Sequence, residues 1–163
     1  MAIIYISLGS NIDADKHIRA GLQALFEHFG ELQLSRVFES EAVGFDGDNF
    51  LNMVASAETE KSVAEVVALF KNIEQDNGRD NSAPRFSGRT LDIDLLLYGD
   101  LVCQQPIELP RDEIEHNAFV LWPLSELAPE MVHPHLQKNY QQLWQAYDKS
   151  QQLWPIEFSW KPQ

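Results

Sequence analysis

A strand–helix–strand–strand–helix–strand order predicts an α+β sandwich, an antiparallel sheet with helices packed on it. Apolar residues recur at helical spacing over residues 14–29 and again after Ser62, while the stretches around them are short, β-rich and bounded by Gly, Asn and Asp. The size agrees. A chain of 163 residues, 44% hydrophobic and 23% charged, is one ordinary globular domain with a real core.

Each element has its own justification. Residues 2–8 are apolar and stop at Gly9-Ser10-Asn11, which reads as a buried strand and a turn. Ile18, Leu22, Leu25, Phe26 and Phe29 form the apolar stripe of a helix over residues 14–29, closed by Gly30. Leu32, Leu34, Arg36 and Phe38 alternate with Gln33, Ser35 and Val37 as in a half-buried strand, and a turn-rich loop runs from Glu41 to Asn49. Phe50 to Ala57 is the next strand. Ser62-Val-Ala-Glu65 has the spacing of a capping box and opens a helix carrying Val63, Val66, Val67, Phe70 and Ile73, which ends near Asn77-Gly78. Residues 79–88 lack periodicity and form a loop, and Thr90 to Tyr98 is a strand.

That completes βαββαβ, the order of a ferredoxin-like sandwich. Residues 101–109 are expected to add a strand ending at Pro110, residues 111–127 one or two short helices broken at Trp122-Pro123, and residues 139–147 a last helix. The fold class is therefore a ferredoxin-like α+β sandwich with C-terminal helical additions. No repeat, linker or low-complexity tract divides residues 1–163.

The net charge of −13 opposes long-range attraction of nucleic acid or anionic membrane, so a polyanionic ligand needs a local basic patch. One is present. Between Lys71 and Lys138 the basic residues are Arg79, Arg85, Arg89 and Arg111, all arginine, the side chain that grips phosphate through a planar, permanently charged fork. Any one of them alone reads better as a solvated surface charge. The lone Cys103 rules out an intramolecular disulfide framework and is expected to be a small buried hydrophobe. The N-terminal residues show neither a basic leader nor a signal-length apolar run, and no stretch approaches a membrane span, so a soluble cytoplasmic protein is expected, without nucleic-acid or membrane partners and acting as a monomer.

The chemistry centres on Asp92 and Asp94. Alternate residues of a strand share a face, so these carboxylates project together about 7 Å apart while Leu91, Ile93 and Leu95 enter the core. Two carboxylates at that spacing suit hard cations held alongside substrate phosphates. The alternative is an amphipathic strand whose aspartates only meet water, but Asp disfavours strands, and two on one face favour the functional reading. Arg85 and Arg89 lie just before them, and the mixture is what a Mg²⁺-nucleotide requires. No Walker loop is present.

Five segments together make the sequence resemble the 6-hydroxymethyl-7,8-dihydropterin pyrophosphokinase family. They are Tyr5-Ile-Ser-Leu-Gly9-Ser10-Asn11, Asn49-Phe50-Leu51-Asn52, Ile73-Glu74 through Gly78-Arg79, Arg85-Phe86-Ser-Gly-Arg89-Thr-Leu-Asp92-Ile-Asp94, and Phe119-Val-Leu-Trp122-Pro123-Leu124, in the family's order and spacing from residue 3 to about residue 130. The resemblance implies transfer of the β,γ-pyrophosphoryl group of ATP to the pterin hydroxymethyl oxygen, releasing AMP in folate synthesis. It implies two Mg²⁺ ions on Asp92 and Asp94, Arg79 and Arg89 on the phosphates, and Arg85 and Phe86 on a closing loop. It also implies a pterin pocket in which Phe50 and Phe119 sandwich the ring, while Asn52, the Ser40 hydroxyl and the backbone around Val43 meet its polar edge. Each Phe taken singly could equally be core packing.

The sequence departs from the family on the ATP side. Where the family usually carries a Pro-His-Tyr-like segment and a following arginine, this chain has Pro110-Arg111-Asp112 and Asn117. Pro106 and Glu108 stand where a basic and a hydroxyl residue are common, and Ser87-Gly88 replaces Gly-Pro. Two expectations follow: an active enzyme in which Arg111 takes over an ATP contact, or a divergent paralogue that binds a pterin with little transfer. His133-Pro-His135 offers a weaker metal candidate without further ligands in sequence, and Trp154, Phe158 and Trp160 could cap the core or meet a partner.

Overall fold

The computed structural model describes residues 1–41, 48–78 and 90–163. Its centre is β1 (Ala2–Ser10), which pairs antiparallel with β4 (Phe50–Thr59) on one side and β5 (Asp92–Tyr98) on the other. Beyond β4 lie β3 (Val37–Ser40) and then β6 (Leu153–Ile156), giving the order β5-β1-β4-β3-β6, with β2 (Gln33–Leu34) pairing β4 further along. This is the expected ferredoxin-like arrangement, in which the first and third strands of the βαββαβ order lie inside.

Helices α1 (Ala14–Phe29) and α2 (Val63–Asp76) cover one face. Their apolar stripes, Ile18, Leu22 and Leu25 from α1 and Val66, Phe70 and Ile73 from α2, meet Ile4, Ile6 and Leu8 of β1, Met53 and Ala55 of β4, and Ile93 and Leu95 of β5 in the main core. The capping box of α2 forms as read: the Glu65 N–H donates to Ser62 Oγ at 3.2 Å, and the Ser62 N–H donates to Glu65 Oε1 at 2.9 Å. The C-terminal helices α3 (Glu113–His116), α4 (Ala118–Leu127) and α5 (Tyr140–Ala146) cover the opposite face, where Val120, Leu121, Leu124 and Tyr140 pack on Val54, Leu96 and Leu97.

Several boundaries differ from expectation for identifiable reasons. The strand expected over residues 32–38 is split at Ser35, whose Oγ accepts the Val54 N–H at 2.9 Å and so takes a ladder bond that a backbone carbonyl would otherwise receive. β1 runs through Gly9 and Ser10, where a turn was expected, because both keep partners in β4. β5 begins at Asp92, two residues later than expected. Residues 101–109 form no strand but a turn closed by a single bridge, Cys103 to Leu109, since Pro106 and Pro110 lack the donors that a ladder needs. Cys103 itself is half-buried, its Sγ 3.4 Å from the Ile107 carbonyl.

α4 runs unbroken through Pro123, where a break was expected. An interior proline costs about 3 kcal/mol, but the burial of Val120, Leu121 and Leu124 contributes roughly 2 kcal/mol each, so packing wins. Beside the expected C-terminal helices there is also a strand. β6 contains Pro155, which argues against a strand in sequence, but at a sheet edge the missing N–H has no ladder to break. The tail beyond it crosses α1: Phe158 and Trp160 pack on the main core, whereas Trp154 stays exposed. Trp144 and Tyr147 stack 5.8 Å apart and pack on the second cluster. Among the described residues, no helix is long and apolar enough to cross a membrane.

Candidate active site

β5 is an edge strand whose burial alternates as the sequence requires: Ile93 and Leu95 enter the core, and Asp92 and Asp94 remain half-exposed. Its outer edge is managed from two sides. From α2, the Glu74 carboxylate, 9% exposed, accepts the Ile93 N–H at 2.8 Å, between the two aspartates. From the chain after β5, the Arg111 N–H donates to the Leu96 carbonyl at 3.0 Å. Leu96 has this carbonyl to offer because the pairing with β1 slips there, Ile6 facing Leu95 but Tyr5 facing Leu97, so that Leu96 is the extra residue of a bulge. The bulge brings Arg111 beside Asp94, and its guanidinium donates to Asp94 Oδ1 at 3.3 Å.

Between α2 and β5 lies a cleft of about 420 Å³ lined by Lys71, Glu74, Asp92, Asp94 and Arg111 with Phe70 and Ile107 among its apolar walls. Its electrostatics are dominated by acid. Burial first, then the charges of Asp92 and Glu113, pushes the Asp94 carboxyl up to about 8, with Arg111 pulling the other way and Glu74 adding to the rise. Glu113 is also raised, by burial, with Arg111 opposing and Asp92 and Asp112 assisting. Such carboxylates are incompletely compensated by the described cations. Oxygen donors that repel one another, on one face of a strand and open to a cleft, fit a hard divalent cation completed by substrate oxygens and water. Among the described residues, no group of three or more His, Cys, Asp and Glu is arranged as an all-protein metal cage.

The sheet register links this cleft to the candidate pterin residues. Gly9 of β1 stands opposite Asp92 on one side and Asn52 on the other, so the row reads Asp92, Gly9, Asn52, Phe38 across four strands. Residues opposite one another share a face, which puts the Asp92 and Asn52 positions about 10 Å apart with only a glycine between them. The gap matters to the amide: a Cβ on Gly9 would lie 2.6 Å from Asn52 Oδ1, so any side chain there displaces it. Ser40 pairs with Phe50 two residues along the same strands, and Asn11, buried next to Ser10, ties the end of β1 to the Asp48 carbonyl at 3.2 Å. Phe119, from the first turn of α4, is half-buried against the second cluster.

The family model described as 7,8-dihydro-6-hydroxymethylpterin-pyrophosphokinase matches residues 5–129, the span that carries this row and cleft. The chain belongs to that family. Among its relatives is the 2-amino-4-hydroxy-6-hydroxymethyldihydropteridine pyrophosphokinase of Aquifex aeolicus, 35% identical over 141 residues that cover 85% of this chain and 88% of the relative. The enzyme of the same name from Porphyromonas gingivalis is 36% identical over 142 residues, covering 82% and 95%. Members also occur within longer chains: the folic acid synthesis protein fol1 of Schizosaccharomyces pombe is 34% identical over 90% of this chain but only 20% of its own length. The solved structure of Plasmodium falciparum HPPK-DHPS, wild type with pteroate, superposes with a TM-score of 0.71 at 13% identity, over 88% of this chain and 42% of that one, and speaks for the fold alone.

Within this pyrophosphokinase frame the expected residues divide cleanly. Asp92, Asp94 and Arg111 line the cleft, whereas Asn52 and Phe50 lie on β4, Ser40 on β3 and Phe119 on α4. Val43, Arg79, Arg85, Phe86 and Arg89 lie outside the described residues. Sequence reasoning assigned no role to Glu74, Lys71 or Glu113. Glu74 carried a signal, a carboxylate following Phe70 and Ile73 on the apolar stripe of α2, where an acid is stable only with a partner. The His133 candidate has a different explanation: its ring is buried, and Nδ1 accepts the N–H groups of His135 and Leu136 at 3.1 and 3.3 Å, so it shapes a turn.

Proposed function

We propose that this protein transfers the β,γ-pyrophosphoryl group of ATP to the hydroxymethyl oxygen of 6-hydroxymethyl-7,8-dihydropterin, releasing AMP, in folate biosynthesis. The observation that supports the reading is the row Asp92, Gly9, Asn52, in which a carboxylate and an amide stand on one face two strands apart with only a glycine between them. The acceptor hydroxyl releases its proton to solvent as its oxygen bonds to the β-phosphorus, the bond from the α,β-bridging oxygen to that phosphorus breaks, and the bridging oxygen leaves with AMP. The role of the protein is positioning and charge.

Asn52 can present a donor and an acceptor at once, which suits an aminopyrimidinone edge offering both, with the Ser40 hydroxyl and the backbone near Val43 completing it. Phe50 and Phe119 stack on the ring faces. Asp92 and Asp94 hold Mg²⁺, two ions by the expectation above, whose chemistry is to neutralise the phosphate charge and align the phosphoryl groups. Arg79 and Arg89 receive charge on the transferring group, Arg111 contacts the triphosphate, and the segment with Arg85 and Phe86 closes to exclude water, which competes as acceptor. Lys71, at the wall of the same cleft, adds a positive charge. We place the protein as a cytoplasmic monomer acting on small molecules. No observation at the site favours the alternative of a pterin-binding module without transfer.

AMP release from ATP, Mg²⁺ and hydroxymethyldihydropterin tests this reading directly. Turnover is expected. Asp92→Ala should abolish Mg²⁺-nucleotide binding while leaving pterin binding, followed by titration calorimetry, largely in place; loss of both in a folded variant contradicts the division of roles.

A further inference from the structure

Arg111 is held firmly by its backbone and only loosely paired at its tip. The N–H is fixed to the Leu96 carbonyl at 3.0 Å, and the flanking Leu109 and Ile114 are buried at 1% and 0% exposure. The side chain, by contrast, is 29% exposed and reaches Asp94, itself 23% exposed, through one contact of 3.3 Å. A well-made guanidinium–carboxylate pair is bidentate and about 2.7–2.9 Å long, so this contact is a loose one. Around it stand Asp92, Glu74 and Glu113, all close enough to act on Asp94 or on one another, and Arg111 acts on both Asp94 and Glu113. The guanidinium therefore lies among carboxylates, against an oxygen that a divalent cation would also require.

Two cations cannot share that oxygen without repulsion. At about 4 Å, two unit charges at an effective dielectric of 20 oppose each other by roughly 4 kcal/mol, and a divalent ion doubles the opposition. A metal on Asp94 displaces Arg111 from that oxygen; Glu113 still acts on the guanidinium, and a phosphate brought with the metal adds a stronger, bidentate partner.

We propose that Arg111 is a positioning residue that exchanges Asp94 for the nucleotide phosphates, so that divalent metal and nucleotide bind cooperatively. This rests on the proposed nucleotide role of the cleft and deepens it. The guanidinium makes binding of free metal less favourable, because the Asp94 contact must be broken while only Glu113, on which Arg111 already acts, remains to it. It makes binding of the metal–nucleotide pair more favourable, because the freed guanidinium gains a phosphate. The consequence is selection against metal alone and for the complete metal–nucleotide, a coupling between two ligands carried by one side chain.

The test measures Mn²⁺ affinity by electron paramagnetic resonance, with and without α,β-methylene-ATP as a non-transferable nucleotide, in the wild-type chain, Arg111→Met and Arg111→Lys. In the wild type, the nucleotide should tighten Mn²⁺ binding about 10-fold or more. In Arg111→Met, free Mn²⁺ should bind several-fold tighter, nucleotide affinity should fall about 10-fold and the coupling should shrink, with Arg111→Lys in between. Circular dichroism establishes that each variant is folded. Unchanged free-metal affinity in Arg111→Met, combined with weaker nucleotide binding, overturns the exchange and leaves Arg111 a plain phosphate ligand. Failure of the wild type to bind the nucleotide analogue at all, with or without metal, instead overturns the nucleotide role of the cleft.

Discussion

Gly9 has no side chain to offer, yet it decides the geometry between Asp92 and Asn52. Because a Cβ there would lie 2.6 Å from Asn52 Oδ1, Gly9→Ala must displace the amide. The expected outcome is a loss of pterin affinity of about 10-fold by titration calorimetry, the value of one misplaced hydrogen-bonding pair, with about 1 kcal/mol of stability lost and Mn²⁺ binding unchanged. Asp94 makes a second prediction at this scale. Its carboxyl is raised from 3.8 to about 8, so between those values the folded state holds a proton that the unfolded chain has released. The stabilising contribution is thus fully present below about pH 4 and is lost as the pH rises through about 8. Thermal denaturation of the metal-free protein should show stability from this group declining with pH across that range, and Asp94→Asn should flatten the decline. Saturating Mg²⁺ should bind the ionised form and offset the loss at the alkaline end.

At the scale of elements, α2 and β5 form one working unit. The helix carries Glu74 to the free edge of the strand, and the strand carries the aspartates. Ser62 starts the helix at the far end from Glu74, which separates a structural role from a functional one. Ser62→Ala removes the cap on the Glu65 N–H and should cost about 1 kcal/mol in urea denaturation while leaving metal and nucleotide affinities unchanged. A change in Mn²⁺ affinity would show that the start of the helix, and not only its end, sets the cleft. α4 illustrates a local rule overridden by packing: Pro123 disfavours its helix, but Val120, Leu121 and Leu124 bury its face against the sheet.

For the whole molecule, the sheet is covered on both faces, and the chain after α5 returns to the edge at β3 before crossing α1. Along that crossing Arg19 lies 4.4 Å over the Phe158 ring and donates to the Ser159 carbonyl at 2.7 Å, while Trp160 meets Phe26 edge-on at 6.3 Å. The tail thus closes the main core at a distance in sequence from everything it touches. Removing residues 153–163 should expose Val37 and the outer side of α1 and lower the midpoint of thermal unfolding by on the order of 10 °C, as expected for a loss of several kcal/mol. An unchanged midpoint would mean that the tail is an ornament on an otherwise complete core.

The βαββαβ order, both long helices and the pair of aspartates were legible in the residues because each depends on local periodicity, 3.6 for Ile18 to Phe29 and 2 for Asp92 to Leu95. β6 was not legible, since Pro155 is unfavourable in a strand until its neighbours show that it lies at an edge. The register was not legible either. Alternation says which face Asp92 and Asn52 occupy but not that Gly9 lies between them, because pairing is set by contacts between strands far apart in sequence. Nor could the sequence place Arg111, whose approach to Asp94 depends on a one-residue bulge at Leu96. Side-chain chemistry and local pattern named the candidate residues; the sheet register and one bulge determined which of them meet, because those distances exist only after non-local packing is complete.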